Sequence, residues 1–191
     1  MGQRIGLFGG SFDPPHIGHL LAAVAVQSAL RLDRVILVVA NDPWQKSTQR
    51  HITDSHHRLA MVRLLVEEFE GIEVSDLEIS RGGPSYTIET VNELRDRGDE
   101  VILVVGADAA AGLDTWERSD ELRELVEVAV LDRPGYPWPE LTGWRLHRVK
   151  AESLNISSSG VRHLVGDGTS THDSVPAAIR SYIDRHGLKW L

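Results

Sequence analysis

The chain contains no cysteine among its 191 residues. A disulfide framework and a thiolate metal site are therefore both excluded, and the composition is typical of a protein from a reducing compartment. The chain also lacks any run of the roughly 18 apolar residues that a membrane-spanning helix requires. Because Met1 leads directly into a strand-like segment rather than a signal peptide, we expect a cytoplasmic protein with no membrane partner.

Basic residues are also scarce, since 20 lysines and arginines stand against 28 aspartates and glutamates and give a formal net charge of −8. A protein that binds nucleic acid usually carries a basic face, so we expect no nucleic-acid partner and only local binding of phosphate. With 41% hydrophobic residues, the chain is long enough for one α/β domain with a buried core, which we assign to residues 1–191. Composition leaves the oligomeric state open.

The most informative stretch is residues 8–20, which follow the first apolar run. Residues 4–8 are strand-like, Gly9 and Gly10 interrupt them, and apolar residues with helical spacing run from Ile17 to Leu30. A strand, a glycine turn and a helix bring backbone N–H groups and the positive end of a helix dipole to one point. This order predicts a phosphate site.

Two histidines lie at the start of that helix. If the helix has begun by His16, the imidazoles of His16 and His19 project from one face of its first turn. Such positioned donors to phosphoryl oxygens are what nucleotidyl transfer requires. Alternatively, His16 is a helix-entry residue and His19 a hydrogen-bonded surface histidine. The flanking residues favour the first interpretation.

The rest of the chain alternates between strand and helix patterns. Continuous apolar runs, typical of strands buried on both faces, occupy residues 33–40, 101–105 and 126–131. Residues 72–79 and 146–149 are interpreted as further strands, and helical spacing is found at 59–69, 88–94, 161–165 and 179–183. The pattern predicts a doubly wound, mostly parallel α/β sheet of the Rossmann-like type, with ligands at the carboxyl ends of its strands.

Two loops and one turn carry candidate ligand groups. Lys46, in the polar loop 41–53, either pairs with a phosphate or is solvated. Ser85 or Thr87 is a candidate N-cap of the helix at 88–94, whose free N–H groups alternatively suit a carboxylate. Asp108, two residues after Gly106, either caps the next helix or bonds a ribose or adenine edge.

Three other features have both a structural and a functional interpretation. Trp116 is either a core residue or a platform for a ring. His56 and His57 have no carboxylate at metal-ligand spacing, so we interpret them as part of a solvated face. The serines at 157–159 either cap a helix or, together with Arg162 one turn later, bind an anion.

Residues 8–20 resemble the signature of the nucleotidyltransferase superfamily, Gly-x-Phe-Asp-Pro-x-His-x-Gly-His-Leu, and residues 156–162 resemble its second signature, Ile-Ser-Ser-Ser/Thr-x-Ile/Val-Arg/Lys. Pro-Ser-Tyr-Thr at 84–87, Gly-x-Asp at 106–108 with Trp116 behind it, and Arg-Pro-Gly-Tyr at 133–136 resemble the nicotinate-mononucleotide adenylyltransferases specifically. The resemblance covers nearly the whole chain. It breaks down at residues 42–45, where the family's proline-histidine pair is missing, and at Glu117, where relatives often have an aromatic residue.

The resemblance implies transfer of the adenylyl group of ATP to nicotinate mononucleotide, which gives nicotinate adenine dinucleotide and pyrophosphate in NAD biosynthesis. It implies that the catalytic residues are His16, His19, Lys46 and Arg162, and that Mg²⁺ is bound through the ATP phosphates without direct protein ligands. The mononucleotide site would comprise Ser85, Tyr86, Thr87, Trp116 and Lys46. The ATP site would comprise Gly9, Gly10, Ser11, Phe12, His16, Gly18, His19, Gly106, Asp108, Ile156, Ser157, Ser158 and Arg162.

Three other functions are consistent with parts of this pattern. Phosphopantetheine adenylyltransferases share both signatures but lack the Pro-Ser-Tyr-Thr and Trp116 features. A tRNA-binding fragment would require a basic surface, which the net charge disfavours. A nucleotide sensor without catalysis would bind ATP but not turn it over, and the presence of His16, His19 and Arg162 argues against it.

Overall fold

The computed structural model describes residues 2–43, 51–132, 135–150, 156–166, 171 and 174–190. Its strands are β1 (Arg4–Gly10), β2 (Arg34–Val39), β3 (Ile72–Ser75), β4 (Glu100–Gly106), β5 (Glu127–Leu131) and β6 (Leu146–Val149). All paired neighbours are parallel, and the strand order is β3-β2-β1-β4-β5-β6. The predicted doubly wound sheet is confirmed, because the order reverses between β1 and β4, as in dinucleotide-binding folds.

Helices connect the strands and cover both faces of the sheet. Within the described ranges they are α1 (Ile17–Leu30), α2 (Ser55–Val66), α3 (Leu77–Arg81), α4 (Thr87–Asp96), α5 (Ala107–Ala110), α6 (Ser119–Leu125), α7 (Ser158–Gly166) and α8 (Ala177–His186), with a 3-10 turn at Leu113–Thr115. None of these helices is long and apolar enough to cross a membrane.

The alternation of side chains along the central strands produces two separate cores. In β2, Val35, Leu37 and Val39 pack with α1, α2 and α8 on one face. Ile36 and Val38 point the other way and pack with α4, α5 and α6. Burial on both faces explains why these strands are continuous apolar runs instead of alternating ones.

Two predicted boundaries are wrong. Gly9 and Gly10 do not interrupt β1 but pair in register with Val38 and Val39 of β2, since parallel pairing needs only their backbone groups. Residues 77–79, predicted as strand, form α3 instead. The apolar alternation there is too short to distinguish strand from helix, and the Oγ of Ser75 accepts a hydrogen bond from the N–H of Leu77 where that helix begins.

The capping predictions had mixed outcomes. Thr53 and Asp54 are the candidate caps that the sequence offers before the helix at 59–69. Asp54 caps α2 and accepts from the N–H of His56 at 2.8 Å. The N-cap of α4 is Tyr86, and neither Ser85 nor Thr87 has that role. The N-cap of α5 is Gly106, so the capping interpretation of Asp108 is also wrong.

Candidate active site

A cavity opens at the carboxyl edge of the sheet where the strand order reverses. Its wall combines residues of β1 and β4 with the turn before α4 and the segment after the 3-10 turn: Leu7, Gly9, Gly10, Ser11, Ala40, Pro43, Glu78, Ser85, Tyr86, Thr87, Leu103, Val104, Val105, Trp116 and Glu117. Ligands of open α/β sheets bind at such a crevice. The fold therefore brings Gly9 and Gly10, at the end of β1, to the predicted mononucleotide residues.

The two signature histidines contact each other at the start of α1. The backbone N–H of His16 donates to Nδ1 of His19 at 3.2 Å, and their rings stack with centroids 3.8 Å apart. The helix begins at Ile17, so His16 is its N-cap rather than a member of its first turn. Extended backbone at the cap nevertheless brings His16 over His19.

Phe12, a predicted ATP residue, also packs against His19. Its side chain is only 2% exposed, and its ring meets the His19 ring edge-on, with centroids 4.9 Å apart. A Cβ on Gly10 would lie 2.9 Å from the Phe12 ring, and one on Gly18 would lie 3.0 Å from Nδ1 of His16. These two glycines let the aromatic and imidazole rings pack directly on the backbone.

The second signature is hydrogen-bonded to the first, although about 150 residues separate them in sequence. The hydroxyl of Ser158 donates to the carbonyl of Pro14 at 2.9 Å, and the guanidinium of Arg162 donates to the carbonyl of Asp13 at 2.8 Å. The start of α7 is thereby held beside the start of α1. Two helix N-termini, each favourable for anions, converge on one region.

The serine hydroxyls of that signature are engaged in protein contacts. Ser157 accepts from the N–H of Gly160 at 3.1 Å, which is the bond of an N-cap, and Ser159 accepts from Arg162 at 2.7 Å. The capping interpretation of the serines is thus correct for Ser157. Since the first N–H groups of a helix have no acceptor within it, those of Ser158 and Ser159 remain the groups suited to an anion.

The turn before α4 is fixed to the end of β2. The backbone N–H of Asn41 donates to the hydroxyl of Ser85 at 2.9 Å, and the N–H of Ser85 donates to the carbonyl of Asp42 at 3.1 Å. Ser85 therefore shapes the turn. The N–H groups of Thr87 and Ile88, at the first positions of α4, have no intrahelical acceptor and suit a carboxylate.

Trp116 and two carboxylates complete the cavity wall. Trp116 is half-buried, packs against the core around α4 and also lines the cavity. Its predicted role as a platform for a ring stays a prediction. Glu78 is buried, whereas Glu117 is exposed. No lysine or arginine occurs among the described wall residues. The described wall therefore offers backbone N–H donors, the aromatic surface of Trp116 and the carboxylates of Glu78 and Glu117.

Gly106 and Asp108 lie at the carboxyl end of β4, outside the wall of this cavity. A Cβ on Gly106 would lie 2.6 Å from Oδ1 of Asp108, so the carboxylate covers the glycine. Asp108 is exposed at the first turn of α5. Its predicted contact with a ribose or adenine edge stays a prediction.

Arg58 is the site-forming residue that the sequence reasoning missed. Its side chain is 1% exposed and donates to the carbonyls of Thr53, Ser11 and Asn41 at 2.7, 2.8 and 3.1 Å. It thereby joins α2 to the ends of β1 and β2 beside the cavity. The sequence did contain one indication of this burial. Arg58 lies three, four and seven residues before Met61, Val62 and Leu65, so it is on the same helix face as these apolar residues.

The end of the chain also contacts the first signature. The indole N–H of Trp190 donates to Oδ1 of Asp13 at 2.8 Å, and Asp13 is fully buried. No motif in the sequence indicated this contact.

Lys46 lies outside the described residues, as do Trp44, Arg133 and Pro134. The predicted role of Lys46 therefore stays a prediction.

Comparison with known proteins gives a consistent result. The cytidylyltransferase-like family model matches residues 7–164. A relative from Bordetella petrii is 40% identical, with 97% of this chain and 98% of the relative covered, and one from Thermus thermophilus is 41% identical, with 97% and 99% covered. Both bear the name "Probable nicotinate-nucleotide adenylyltransferase".

Solved structures share the fold. Plasmodium falciparum nicotinic acid mononucleotide adenylyltransferase complexed with NaAD superimposes with a TM-score of 0.83, at 18% identity and with 97% of each chain covered. The same enzyme complexed with APC has a TM-score of 0.79 at 20% identity. At this identity the likeness concerns the fold alone.

Proposed function

This chain belongs to the cytidylyltransferase-like family and, within it, to the nicotinate-nucleotide adenylyltransferases, and we propose from this premise how its site works. It transfers the adenylyl group of ATP to nicotinate mononucleotide and produces nicotinate adenine dinucleotide and pyrophosphate. The observation that carries this function is the match of residues 7–164 to the family, combined with near-complete coverage of relatives at about 40% identity. Phosphopantetheine adenylyl transfer is disfavoured because the mononucleotide turn and Trp116 share the cavity.

The reaction needs no covalent enzyme intermediate. A phosphate oxygen of the mononucleotide attacks the α-phosphorus of ATP, a new P–O bond forms, and the bond from that phosphorus to the bridging oxygen of the β-phosphate breaks. Pyrophosphate leaves with the bond's electrons. A phosphomonoester is already an anionic nucleophile near neutral pH, so the protein has to align the two substrates and neutralise charge.

The contact between the histidines supports a donor role for His19. Because Nδ1 of His19 accepts from the N–H of His16, the proton of the neutral ring is on Nε2. An Nε2–H donor suits the α-phosphate and bridging oxygens, where charge develops in the transition state. His16, only 5% exposed and stacked on His19, helps to fix that ring.

The second signature supports binding of the leaving pyrophosphate. We assign this task to the start of α7, through Ser157, Ser158 and Arg162, with Gly9, where a Cβ would meet no atom within 4 Å, leaving room for the ATP phosphates. The hydrogen bonds of Ser158 and Arg162 to residues 13 and 14 favour this assignment because they hold both helix starts in one region. Lys46 is proposed for the transferred phosphoryl group, on the basis of the sequence resemblance.

We propose that ATP is used as its magnesium complex. The described residues bring together no group of three or more His, Asp or Glu side chains at metal-ligand geometry. Mg²⁺ commonly keeps its waters and binds substrate phosphates with few protein ligands, so MgATP fits this donor set as a substrate. The ion would neutralise charge on the triphosphate.

The pyridine ring of the mononucleotide is assigned to the cavity beside Trp116. The N–H groups at the start of α4 suit its carboxylate, and the aromatic side chain of Trp116 suits its ring.

We also propose that residues 1–191 form one nucleotidyltransferase domain. This domain acts in the cytoplasm on small molecules and without nucleic acid.

Release of pyrophosphate, measured with MgATP and a panel of acceptors, tests the function. The panel contains nicotinate mononucleotide, nicotinamide mononucleotide and phosphopantetheine. Turnover should be highest with nicotinate mononucleotide. Turnover only with phosphopantetheine, or ATP binding without release of pyrophosphate for any acceptor, would overturn the proposal.

A further inference from the structure

Glu78 is a buried carboxylate in the wall of the cavity. Its side chain is 7% exposed, and it lines the cavity together with Ser85, Thr87 and Trp116. It lies on α3, the segment that the sequence pattern assigned to a strand, so none of the sequence motifs included it. Burial of a carboxylate is costly unless hydrogen bonds compensate for lost hydration.

Only one oxygen of Glu78 has a described hydrogen bond. The hydroxyl of Thr90 donates to Oε1 at 2.8 Å. Arg81, on the same helix as Glu78, donates to Thr90 and Glu93 and pairs with Glu89. In the described part of the chain, no hydrogen bond reaches Oε2 of Glu78, and because Glu78 lines the cavity, a ligand bound there can supply a donor.

A substrate donor for this oxygen can be identified by elimination, on the premise of the proposed function. Near neutral pH, nicotinate mononucleotide carries a carboxylate and a phosphate, which are acceptors, and its ring nitrogen is glycosylated. Its remaining donors are the 2′- and 3′-hydroxyls of the ribose. The pyridine carboxylate is unsuited to this place, since it would face a second carboxylate and the described wall residues include no lysine or arginine to lie between them.

We propose that Oε2 of Glu78 accepts a hydrogen bond from the ribose diol of the mononucleotide and thereby makes the enzyme selective for ribonucleotide acceptors. The donor groups of the wall, at the start of α4, then bind the pyridine carboxylate, and the acceptor group binds the sugar. Thr90 holds the other carboxylate oxygen, so Glu78 is a preorganised acceptor.

The test compares nicotinate mononucleotide with its 2′-deoxy and 3′-deoxy analogues. For the wild-type enzyme, at least one deoxy analogue should have a kcat/KM lower by roughly 10- to 100-fold, the effect of losing a hydrogen bond to a charged acceptor. In Glu78→Gln this preference should fall to about threefold or less. A purely structural role of Glu78 would lower kcat/KM for all three acceptors equally and leave the preference unchanged.

Two controls make the result specific. Glu117→Gln removes the same charge from the same cavity wall at an exposed position, so it should keep the wild-type preference. The preference for ATP over 2′-deoxy-ATP should be the same in wild type and Glu78→Gln. Loss of the acceptor preference in Glu117→Gln, or a Glu78→Gln effect confined to 2′-deoxy-ATP, would overturn the proposal.

The wild-type measurement tests the proposal even if Glu78→Gln does not fold. Use of both deoxy analogues within about threefold of the ribonucleotide would overturn the role of Glu78 and leave the adenylyl transfer intact. Failure of the wild-type enzyme to use nicotinate mononucleotide at all would overturn the proposed function instead, and this inference with it.

Discussion

The backbone N–H of His16 donates to Nδ1 of His19, and the two imidazoles stack 3.8 Å apart. The three-residue spacing of His16 and His19 therefore allows a contact that orients the His19 ring. His16 fixes the tautomer and the ring of His19 through this contact, and the Phe12 ring packs edge-on against the same imidazole. In the proposed mechanism, the Nε2–H of His19 is a preorganised donor to the reacting phosphate.

Replacement of His19 should mainly affect turnover. For His19→Ala we expect kcat to fall by about 100-fold or more, the usual cost of removing one donor to developing charge, with little change in the KM for ATP. Steady-state kinetics at saturating mononucleotide provide the measurement. Near-normal turnover would exclude His19 from the chemistry.

The control for this variant is His19→Asn. The asparagine oxygen can still accept from the N–H of His16, but the side chain is too short to replace the Nε2–H donor. We expect His19→Asn to be as inactive as His19→Ala. Recovery of activity in His19→Asn would show that the helix-start contact, and not the donor, is what catalysis requires.

Arg162→Ala should weaken ATP binding and turnover together. Arg162 joins the signatures through the carbonyl of Asp13, and we place it against the triphosphate in both ground and transition states. Isothermal titration with a non-hydrolysable ATP analogue, combined with kcat, separates the two effects. Arg162→Lys keeps the charge without the planar fork and should be intermediate. Unchanged ATP affinity in Arg162→Ala would contradict the assignment.

Trp116→Ala should raise the KM for the mononucleotide and leave the KM for ATP nearly unchanged, because a stacking surface contacts one ring only. Trp116→Phe retains an aromatic face and should lose less. Initial rates at varied concentrations of each substrate distinguish these cases. A defect confined to ATP would mean that the pyridine ring does not bind beside Trp116.

Glu127 should stabilise the fold in a pH-dependent way. A hydrogen bond from His147, 2.6 Å long and between β5 and β6, lowers the pKa of Glu127, and the charges of Arg145 and Arg4 lower this pKa further. Since the pKa is lower in the folded state, the stabilisation is present above the ordinary value of 4.5 and is lost as the pH falls through the folded value.

We therefore expect Glu127→Gln to lower the free energy of unfolding by up to about 1 kcal/mol at pH 7, the usual range for a partly exposed pair. The difference from wild type should shrink as the pH drops below 4.5. Urea unfolding at a series of pH values measures it, with Glu124→Gln on the exposed face of α6 as the control. A difference that stays constant across the acid range would refute this account.

The sequence predicted the sheet and the location of the site because both depend on local patterns. Strands buried on both faces, and the caps at Asp54 and Ser157, are encoded within a few neighbouring positions. It could not reveal Glu78, because the short alternation of Leu77 and Ile79 fits a strand as well as a helix. Arg58 and Trp190 were missed because their acceptors, Ser11 and Asp13, are distant in sequence.

The most direct test of the whole account is a competition between nicotinate and nicotinamide mononucleotide for ATP labelled at the α-phosphorus. The start of α4 offers N–H donors, which suit a carboxylate and leave an amide NH₂ unpaired, at a cost of roughly 1 to 3 kcal/mol. We predict that the label enters nicotinate adenine dinucleotide, with a preference in kcat/KM of about ten to a few hundredfold over NAD. Label in neither dinucleotide, or in both equally, would contradict the account.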